Sequence, residues 1–166
     1  MMYDIIIIGA GPAGISAGLY AVSRGKKTLV IEKHEVGGLI KKVSSVTHYS
    51  GLIEQETGAT FAARLKKQAE NAGVSIVQET VTEVSLTPTI KTVTTDTHTY
   101  EAPHIILACG TTPRRLGIPG ELELSGKGVC QNATKDAPLC AGKHVYVVGG
   151  ADLSLIHISE PTRPEP

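Results

Sequence analysis

The chain opens with short apolar runs that are separated by glycine-rich turns. Residues 5–8 are four consecutive isoleucines, a run typical of a parallel strand that is buried on both faces. Apolar residues then recur at helical spacing until Gly25, which predicts a helix that ends near residue 24. A second apolar run over 28–31 predicts another strand, and Glu32 stands at its end. The pattern therefore begins as a strand–helix–strand unit.

The middle of the chain predicts one more helix, a small antiparallel meander and two further strands. In chain order these are an amphipathic helix over 60–72, a β-rich stretch over 74–86, a hairpin joining 90–93 to 98–100, and buried strands over 104–110 and 143–148. Strands that alternate with helices indicate an α/β fold built on a parallel sheet.

A glycine-rich turn joins the first predicted strand to the first helix, with the spacing G-x-G-x-x-G. In this spacing the first glycine permits a tight turn, the second lets backbone N–H groups approach a pyrophosphate, and the third lets the helix pack closely on the sheet. Glu32, 18 residues after the third glycine, is placed to accept hydrogen bonds from ribose hydroxyls. A purely structural turn leaves Glu32 unexplained, so we predict dinucleotide binding. The candidate residues are Gly9, Gly11, Pro12, Ala13, Gly14, Glu32 and Lys33.

Composition and charge argue against several classes of protein. The 166 residues suggest a single domain, and 16 basic against 16 acidic side chains give a net charge of +0, which argues against nucleic-acid binding. No apolar run is long enough to span a membrane and no secretory signal is apparent, so we expect no membrane association. Three cysteines form no disulfide framework, which favours a reducing, cytoplasmic location.

Further motifs extend the pattern over most of the chain. They are Gly37-Gly38, the polar stretch that ends at Gly51, the segment IILACG over 105–110, the segments over 112–114 and 117–120, and a second glycine-ended apolar run over 145–150. Together with the first glycine loop, these segments resemble the N-terminal half of bacterial thioredoxin reductase-like flavoproteins, within the pyridine nucleotide–disulfide oxidoreductases. The resemblance runs from Tyr3 to Asp152.

The resemblance implies a Rossmann-like, three-layer FAD-binding domain of the α/β class, truncated at its C-terminal end. A parallel sheet would carry helices on one face and a β-meander on the other. Residues 1–112 would be the N-terminal portion of this domain, and residues 113–152 the truncated start of an NAD(P)-binding domain. FAD would be the cofactor, and NAD(P)H would serve a full-length parent that is expected to be a homodimer.

The resemblance also assigns cofactor contacts beyond the first loop. For FAD these are Gly37, Gly38, Leu39, His48, Val81, Ala108, Cys109 and Gly110, and for NAD(P) they are Gly149 and Gly150. The adenosine half of the site matches the family. The part that approaches the flavin departs from it, since Leu39 stands where glutamine is common, His48 where asparagine is common, and Ser50 where proline is usual.

The redox-active C-A-T-C segment of thioredoxin reductases is absent from this chain. The matching stretch runs over 128–136, and Asn132 and Lys135 occupy the two cysteine positions. Neither side chain carries electrons. We therefore predict no catalytic residue in this chain, and an electron acceptor other than a dithiol, such as a ferredoxin, a quinone or a small molecule.

The three cysteines that the chain does contain are interpreted as structural. Cys130 and Cys140 are expected to be small, partly buried side chains, and Cys109 a core residue beside the cofactor. Nine residues separate Cys130 from Cys140, so a pair that replaces the missing dithiol is the less favoured reading. No metal site is predicted.

The last 14 residues, 153–166, do not continue the family pattern. Their prolines forbid the helix that normally follows the second glycine loop, and LSLIHISEPTR resembles the conceptual translation of a sequencing-library adaptor. We therefore expect an artefact tail from Leu153, and a fragment that holds FAD weakly and does not turn over NAD(P)H. Two other classes stay open: a single-cofactor NAD-dependent dehydrogenase and a non-catalytic dinucleotide-binding module.

Overall fold

The computed structural model describes residues 2–47, 49–112, 114–130 and 133–149. His48, Asn132, Gly150 and the expected artefact tail lie outside these residues. The chain divides into two compact units, residues 1–112 and residues 113–166, and each unit is described by itself.

The first unit contains seven strands and two α-helices among its described residues. The strands are β1 (Ile5–Ile8), β2 (Thr28–Glu32), β3 (Ser75–Gln78), β4 (Val81–Leu86), β5 (Lys91–Thr95), β6 (Thr99–Ala102) and β7 (His104–Leu107). The helices are α1 (Pro12–Ser23) and α2 (Gly58–Asn71), and a short 3-10 helix covers Gly38–Lys42. The strand–helix–strand unit and the hairpin that the sequence predicts are confirmed.

The strands form two separate sheets. Four of them pair in parallel in the order β3-β2-β1-β7, with Ile5 opposite both Thr28 and His104. The other three form the antiparallel meander β4-β5-β6. A parallel strand pair needs a crossover connection, and α1 supplies the one between β1 and β2.

Alternate residues of the parallel strands face two different apolar layers. Ile7 and Val30 pack in one cluster with Ile15 of α1 and with Phe61 and Leu65 of α2. The other face is covered by the meander, through Ile6, Leu29, Ile31, Val93, Tyr100 and Ala102. Helices, parallel sheet and meander thus stack in three layers, which confirms the predicted architecture.

The ends of the two helices follow from local sequence. In α1, Pro12 stands at the first helical position, where its missing N–H costs nothing. The α1 helix ends before Gly25, which has a φ of 70°. In α2, Thr57 and Thr60 form a reciprocal capping box, so that helix begins two residues before the predicted start at residue 60.

An ion pair between a buried carboxylate and an exposed arginine fixes the loop that precedes α2. The side chain of Glu56 is fully shielded from solvent and receives hydrogen bonds from Arg64 Nε (2.9 Å) and Nη2 (2.6 Å). The same Arg64 nitrogen Nη2 donates to the Gly51 carbonyl at 3.2 Å. The Arg64 hydrogen bond, opposed by desolvation and assisted by the Ile53 N–H, lowers the pKa of Glu56. This arrangement anchors both ends of the 51–56 segment to α2.

The predicted burial of strand 104–110 is wrong. Strand β7 ends at Leu107 and lies at an edge of the parallel sheet, where Ile106 is 37% and Leu107 68% exposed. A strand is shielded on both faces only where both covering layers reach it, and the apolar composition of the segment does not reveal its position in the sheet. Cys109, expected in the core, is exposed for the same reason.

The second unit has little regular structure over its described residues, 114–130 and 133–149. It contains α3 (Ala133–Cys140) and a turn in which the buried Glu121 carboxylate accepts hydrogen bonds from the N–H groups of Leu116 (3.0 Å) and Gly117 (2.8 Å). These two backbone hydrogen bonds lower the pKa of Glu121. Cys130 is exposed rather than partly buried, while Cys140 is partly buried as predicted.

The strand predicted over 143–148 is absent from the structure. Val145, Tyr146, Val147 and Val148 are each more than half exposed. A strand requires a neighbouring strand for its backbone hydrogen bonds, and the described residues provide none here. No helix in the described part of the chain combines the length and the apolar character needed to cross a bilayer.

Candidate dinucleotide-binding site

An open cavity of about 270 Å³ lies at the carboxyl ends of the parallel strands. Its lining residues are Ile8, Gly9, Ile31, Glu32, Lys33, Glu79, Thr80, Val81 and Cys109. They end or follow the parallel strands β1, β2, β3 and β7, except Val81, which begins β4. This edge of an open α/β sheet is where ligands bind. Of the residues predicted from sequence, Gly9, Glu32, Lys33, Val81 and Cys109 line the cavity directly.

Two of the predicted glycines are required by contacts within the protein. Gly9 has a φ of 105°, and a Cβ on it would lie 2.3 Å from the Ala108 carbonyl oxygen. A Cβ on Gly14 would lie 1.8 Å from the Gly9 carbonyl oxygen. The β1–α1 turn therefore lies directly against the segment that follows β7, and the start of α1 lies directly against that turn.

Gly11 differs from both, because no protein atom requires it to lack a side chain. A Cβ on Gly11 would have nothing within 4 Å, and its φ of −71° suits any residue. Gly11 is the N-cap of α1, and no side chain in the described part of the chain caps the helix or places an acid in its first turn. The start of α1 thus has no side-chain cap, and the Cβ position of Gly11 opens onto empty space, as at helix N-termini that bind anions.

The Glu32 carboxylate lies directly below the glycine loop. Oε2 accepts a hydrogen bond from the Ala10 N–H at 2.6 Å, and Oε1 accepts one from the His34 N–H at 3.0 Å. Each carboxylate oxygen can accept a further hydrogen bond. The structure therefore ties Glu32 to the loop and still leaves it able to accept from a ligand hydroxyl. Lys33, the next residue, is exposed and adds a positive charge at the rim.

The second predicted loop packs on the first. The Gly37 N–H donates to the Ala10 carbonyl oxygen at 2.8 Å, and a Cβ on Gly38 would lie 3.6 Å from the Gly11 Cα. Leu39 follows with its side chain half exposed. The structure thus packs Gly37 and Gly38 against the turn at Ala10 and Gly11, with Leu39 next along the chain.

The remaining predicted residues are divided between the two units. The Ala108 N–H donates to the Ile8 carbonyl oxygen at 2.8 Å and continues the β1–β7 pairing up to the cavity, and Gly110 follows on the exposed surface. Gly149 belongs to the second unit and has a φ of 122°.

Sequence reasoning missed two polar residues of the cavity wall, Glu79 and Thr80. Glu79 accepts hydrogen bonds from Thr95 Oγ1 (2.6 Å) and Tyr100 Oη (2.9 Å), and its Oε1 lies 2.8 Å from His98 Nδ1. Burial acts to raise the pKa of Glu79, but hydrogen bonds from Thr95, Tyr100, His98 and Thr97 outweigh it and lower the pKa to about 2. Glu79 comes directly after β3, and Glu32 is the last residue of β2. An acidic residue at the end of a predicted parallel strand could therefore have identified Glu79 as a candidate site residue.

Tyr100 shares this network from the meander side. Its ring is buried and meets the Tyr3 ring edge to face, with 6.1 Å between the ring centroids. Burial and the hydrogen bond to the Glu79 carboxylate together raise the pKa of Tyr100 to about 12. The phenol therefore stays protonated near neutral pH and can donate to Glu79.

A second, larger cavity of about 470 Å³ lies between α2 and β3 and shares only Glu32 with the first. Alanines and charged side chains of both signs line it, including Lys66 and Glu70, and no glycine does. Where it borders the start of α2, at Ala59, that helix is closed by the Thr57–Thr60 capping box. The first cavity is instead lined by Gly9 of the glycine turn and lies at the carboxyl ends of the parallel strands, so it is the better dinucleotide site. No group of three or more potential metal ligands occurs within the described residues.

Comparison with known proteins agrees with this geometry. The family model "Pyridine nucleotide-disulphide oxidoreductase" matches residues 3–156. The chain belongs to this family. Thioredoxin reductases in the family use FAD and NADPH, which confirms the cofactors expected at the level of the family.

Curated relatives within the family are named thioredoxin reductases. That of Peptoclostridium acidaminophilum is 40% identical over 154 residues, which are 93% of this chain and 49% of the relative. That of Treponema pallidum is 43% identical over 150 residues, which are 90% of this chain and 49% of the relative. The chain thus spans about half the length of the curated relatives it matches.

Solved structures give the same result. Thioredoxin reductase of Lactococcus lactis superimposes with a TM-score of 0.73 at 31% identity, covering 82% of this chain and 45% of that one. A ferredoxin-flavin thioredoxin reductase from Clostridium acetobutylicum has a TM-score of 0.65 at 33% identity, covering 84% of this chain and 48% of that one. The resemblance to an N-terminal portion of these flavoproteins is therefore confirmed.

Proposed function

We propose that this chain is the FAD-binding part of an oxidoreductase that takes electrons from NAD(P)H. The observation that carries the proposal is the bare Cα of Gly11, which faces open space at the uncapped start of α1. A glycine that no protein contact requires fits a position that a ligand must approach closely. The residues around it fit the pyrophosphate and ribose of a dinucleotide.

Each part of the site has a separate role in this proposal. Backbone amides of the turn over 9–14 bind the pyrophosphate, and Glu32 accepts hydrogen bonds from the ribose hydroxyls. Val81 forms part of the wall beside the adenine. Residues 37–39 lie on the opposite side of the turn and extend toward the flavin end. FAD, when bound, supplies the hydride and electron chemistry.

We further propose that the parent protein passes its electrons to an acceptor other than a dithiol of its own. Support comes from Asn132 and Lys135, which occupy the positions of the two redox cysteines and cannot form a disulfide. The relatives named thioredoxin reductases make thioredoxin the competing acceptor. Efficient NAD(P)H-dependent reduction of thioredoxin by the full-length parent would contradict this proposal.

The second unit fits the beginning of an NAD(P)-binding domain in this scheme. Gly149, with a φ of 122°, has the conformation that the first glycine of such a loop requires. A homodimeric parent remains part of the proposal, on the strength of the family resemblance.

Titration of the purified chain with FAD tests the proposal through flavin fluorescence. We expect saturable but weak binding, which is lost during purification and recovered on adding FAD. Gly11→Ala places a methyl group where the pyrophosphate should lie, so it should weaken binding at least tenfold, or about 1.4 kcal/mol.

Gly25→Ala is the matched control, since Gly25 lies at the opposite end of α1 with nothing within 4 Å of its Cβ position. Its positive φ makes alanine cost about 1 kcal/mol of stability, yet FAD affinity should not change. No binding to the unmodified chain, or equal binding by Gly11→Ala, would refute the proposed site.

A further inference from the structure

We propose that Glu79 is a positioning residue, which holds the 79–81 wall of the cavity in place for the adenosine half of the dinucleotide. This inference rests on the proposed function. It concerns a residue whose carboxylate is occupied by protein donors and which therefore acts through its neighbours.

The wall is held from two sides by its backbone. The Glu79 N–H donates to the Glu32 carbonyl oxygen at 3.0 Å, which extends the β2–β3 pairing by one step. On the other side, the Thr80 N–H donates to Asp96 Oδ1 at 3.1 Å, and the Asp96 N–H donates to the Thr80 carbonyl oxygen at 3.0 Å. The wall thus bridges the parallel sheet and the turn between β5 and β6.

The Glu79 side chain locks this bridge. Its Oε2 accepts from Thr95 of β5, while its Oε1 accepts from Tyr100 of β6 and contacts His98 in the turn between them. The side chain is only 11% exposed, and it lines the cavity. One carboxylate therefore joins both strands of the hairpin to the segment that forms the wall.

A positioning role and a purely electrostatic role for Glu79 predict opposite changes in ADP affinity when its carboxylate is removed. ADP is an anion, so removing a nearby negative charge should tighten its binding if Glu79 acted only through its field. If Glu79 positions the wall, its loss should weaken binding, because recognition geometry must hold to within about 0.5 Å. The sign of the effect separates the two roles.

The test uses the full chain and ADP as the probe for the adenosine half. In Glu79→Gln, the amide N–H₂ opposes at least one of the donors from Thr95, Tyr100 and His98, which leaves a donor unsatisfied. We expect ADP affinity to fall about tenfold, measured by calorimetry well below the unfolding temperature. Glu83→Gln, an exposed position on β4, is the charge-matched control and should not weaken ADP binding.

Amide NMR gives a readout that general destabilisation would not produce. ADP should shift the amide signals of both Gly11 and Val81 in the unmodified chain. In Glu79→Gln at saturating ADP, the Gly11 shift should persist while the Val81 shift is reduced. Tyr100→Phe removes a single donor to Glu79. It should lower ADP affinity about threefold and should also reduce the Val81 shift. This variant replaces Glu79→Gln if Glu79→Gln does not fold.

The outcomes separate the two proposals. If the unmodified chain does not bind ADP, the proposed function fails. If it binds ADP and Glu79→Gln binds equally or more tightly, with the Val81 shift intact, the site stands and the positioning role of Glu79 is wrong.

Discussion

The contact between Gly14 and Gly9 leads to a prediction about stability that does not depend on any ligand. A Cβ on Gly14 would lie 1.8 Å from the Gly9 carbonyl oxygen and 2.9 Å from its carbonyl carbon. Ordinary contact begins near 3.4 Å, so Gly14→Ala creates an overlap of about 1.6 Å (3.4 minus 1.8) with a backbone atom. The turn or the first residues of α1 must move.

The magnitude follows from two opposing effects. Overpacking of this kind costs about 1–3 kcal/mol. Alanine in place of glycine within a helix recovers about 0.5–1 kcal/mol. We expect a net loss of about 1–2 kcal/mol, which corresponds to a fall of roughly 5–15 °C in the unfolding temperature of a unit of this size.

Thermal unfolding followed by circular dichroism measures this change, with Gly11→Ala as the comparison. Gly11 is three residues away and its Cβ would meet no atom, so the same substitution there should cost only about 0.5 kcal/mol, from the weaker N-cap. Equal unfolding temperatures for Gly14→Ala and the unmodified chain, or an equal loss in the two variants, would refute the reasoning.

Two further predictions concern stability. Thr57→Ala removes the capping box of α2 and should destabilise the chain by about 1 kcal/mol in urea unfolding, whereas Thr57→Ser should retain most of that stability. Because the pKa of Glu79 is lowered from 4.5 to about 2, its contribution to the free energy of unfolding is fully present above pH 4.5 and is lost as the pH falls through 2. The full shift corresponds to about 3 kcal/mol, which solvent screening reduces to about 1–2 kcal/mol. Glu79→Gln should therefore lose less stability between pH 6 and pH 2 than the unmodified chain, and equal losses would show that Glu79 does not contribute to the acid sensitivity.

The local sequence pattern correctly predicted those elements that are determined by residues close to one another in the chain. The isoleucine run of β1, the glycine that ends α1 and the glycine loop between them each report constraints within a few residues of themselves. The same reasoning gave the wrong result for 143–148, where an apolar run lacks a partner strand. It also overstated the burial of β7, since position within a sheet is decided by distant parts of the chain.

The Glu79 network shows why part of the site could not be predicted. Its donors Thr95, His98 and Tyr100 stand 16 to 21 residues further along the chain. Their meeting point depends on the register of the β5–β6 hairpin and on how the meander packs on the parallel sheet. The sequence pattern does not reveal which distant donors a polar side chain such as Glu79 will meet. The position of Glu79 directly after a parallel strand does mark it as a candidate site residue.

The position of β1 in the sheet has a consequence for how the chain folds during synthesis. β1 pairs on one side with β2, 23 residues later (28 minus 5), and on the other with β7, 99 residues later (104 minus 5). The first pairing closes a short loop and forms early, while the second must wait until nearly all of the first unit has left the ribosome. Until then one edge of the isoleucine strand is unpaired, and an unpaired strand edge is a site at which another chain can pair.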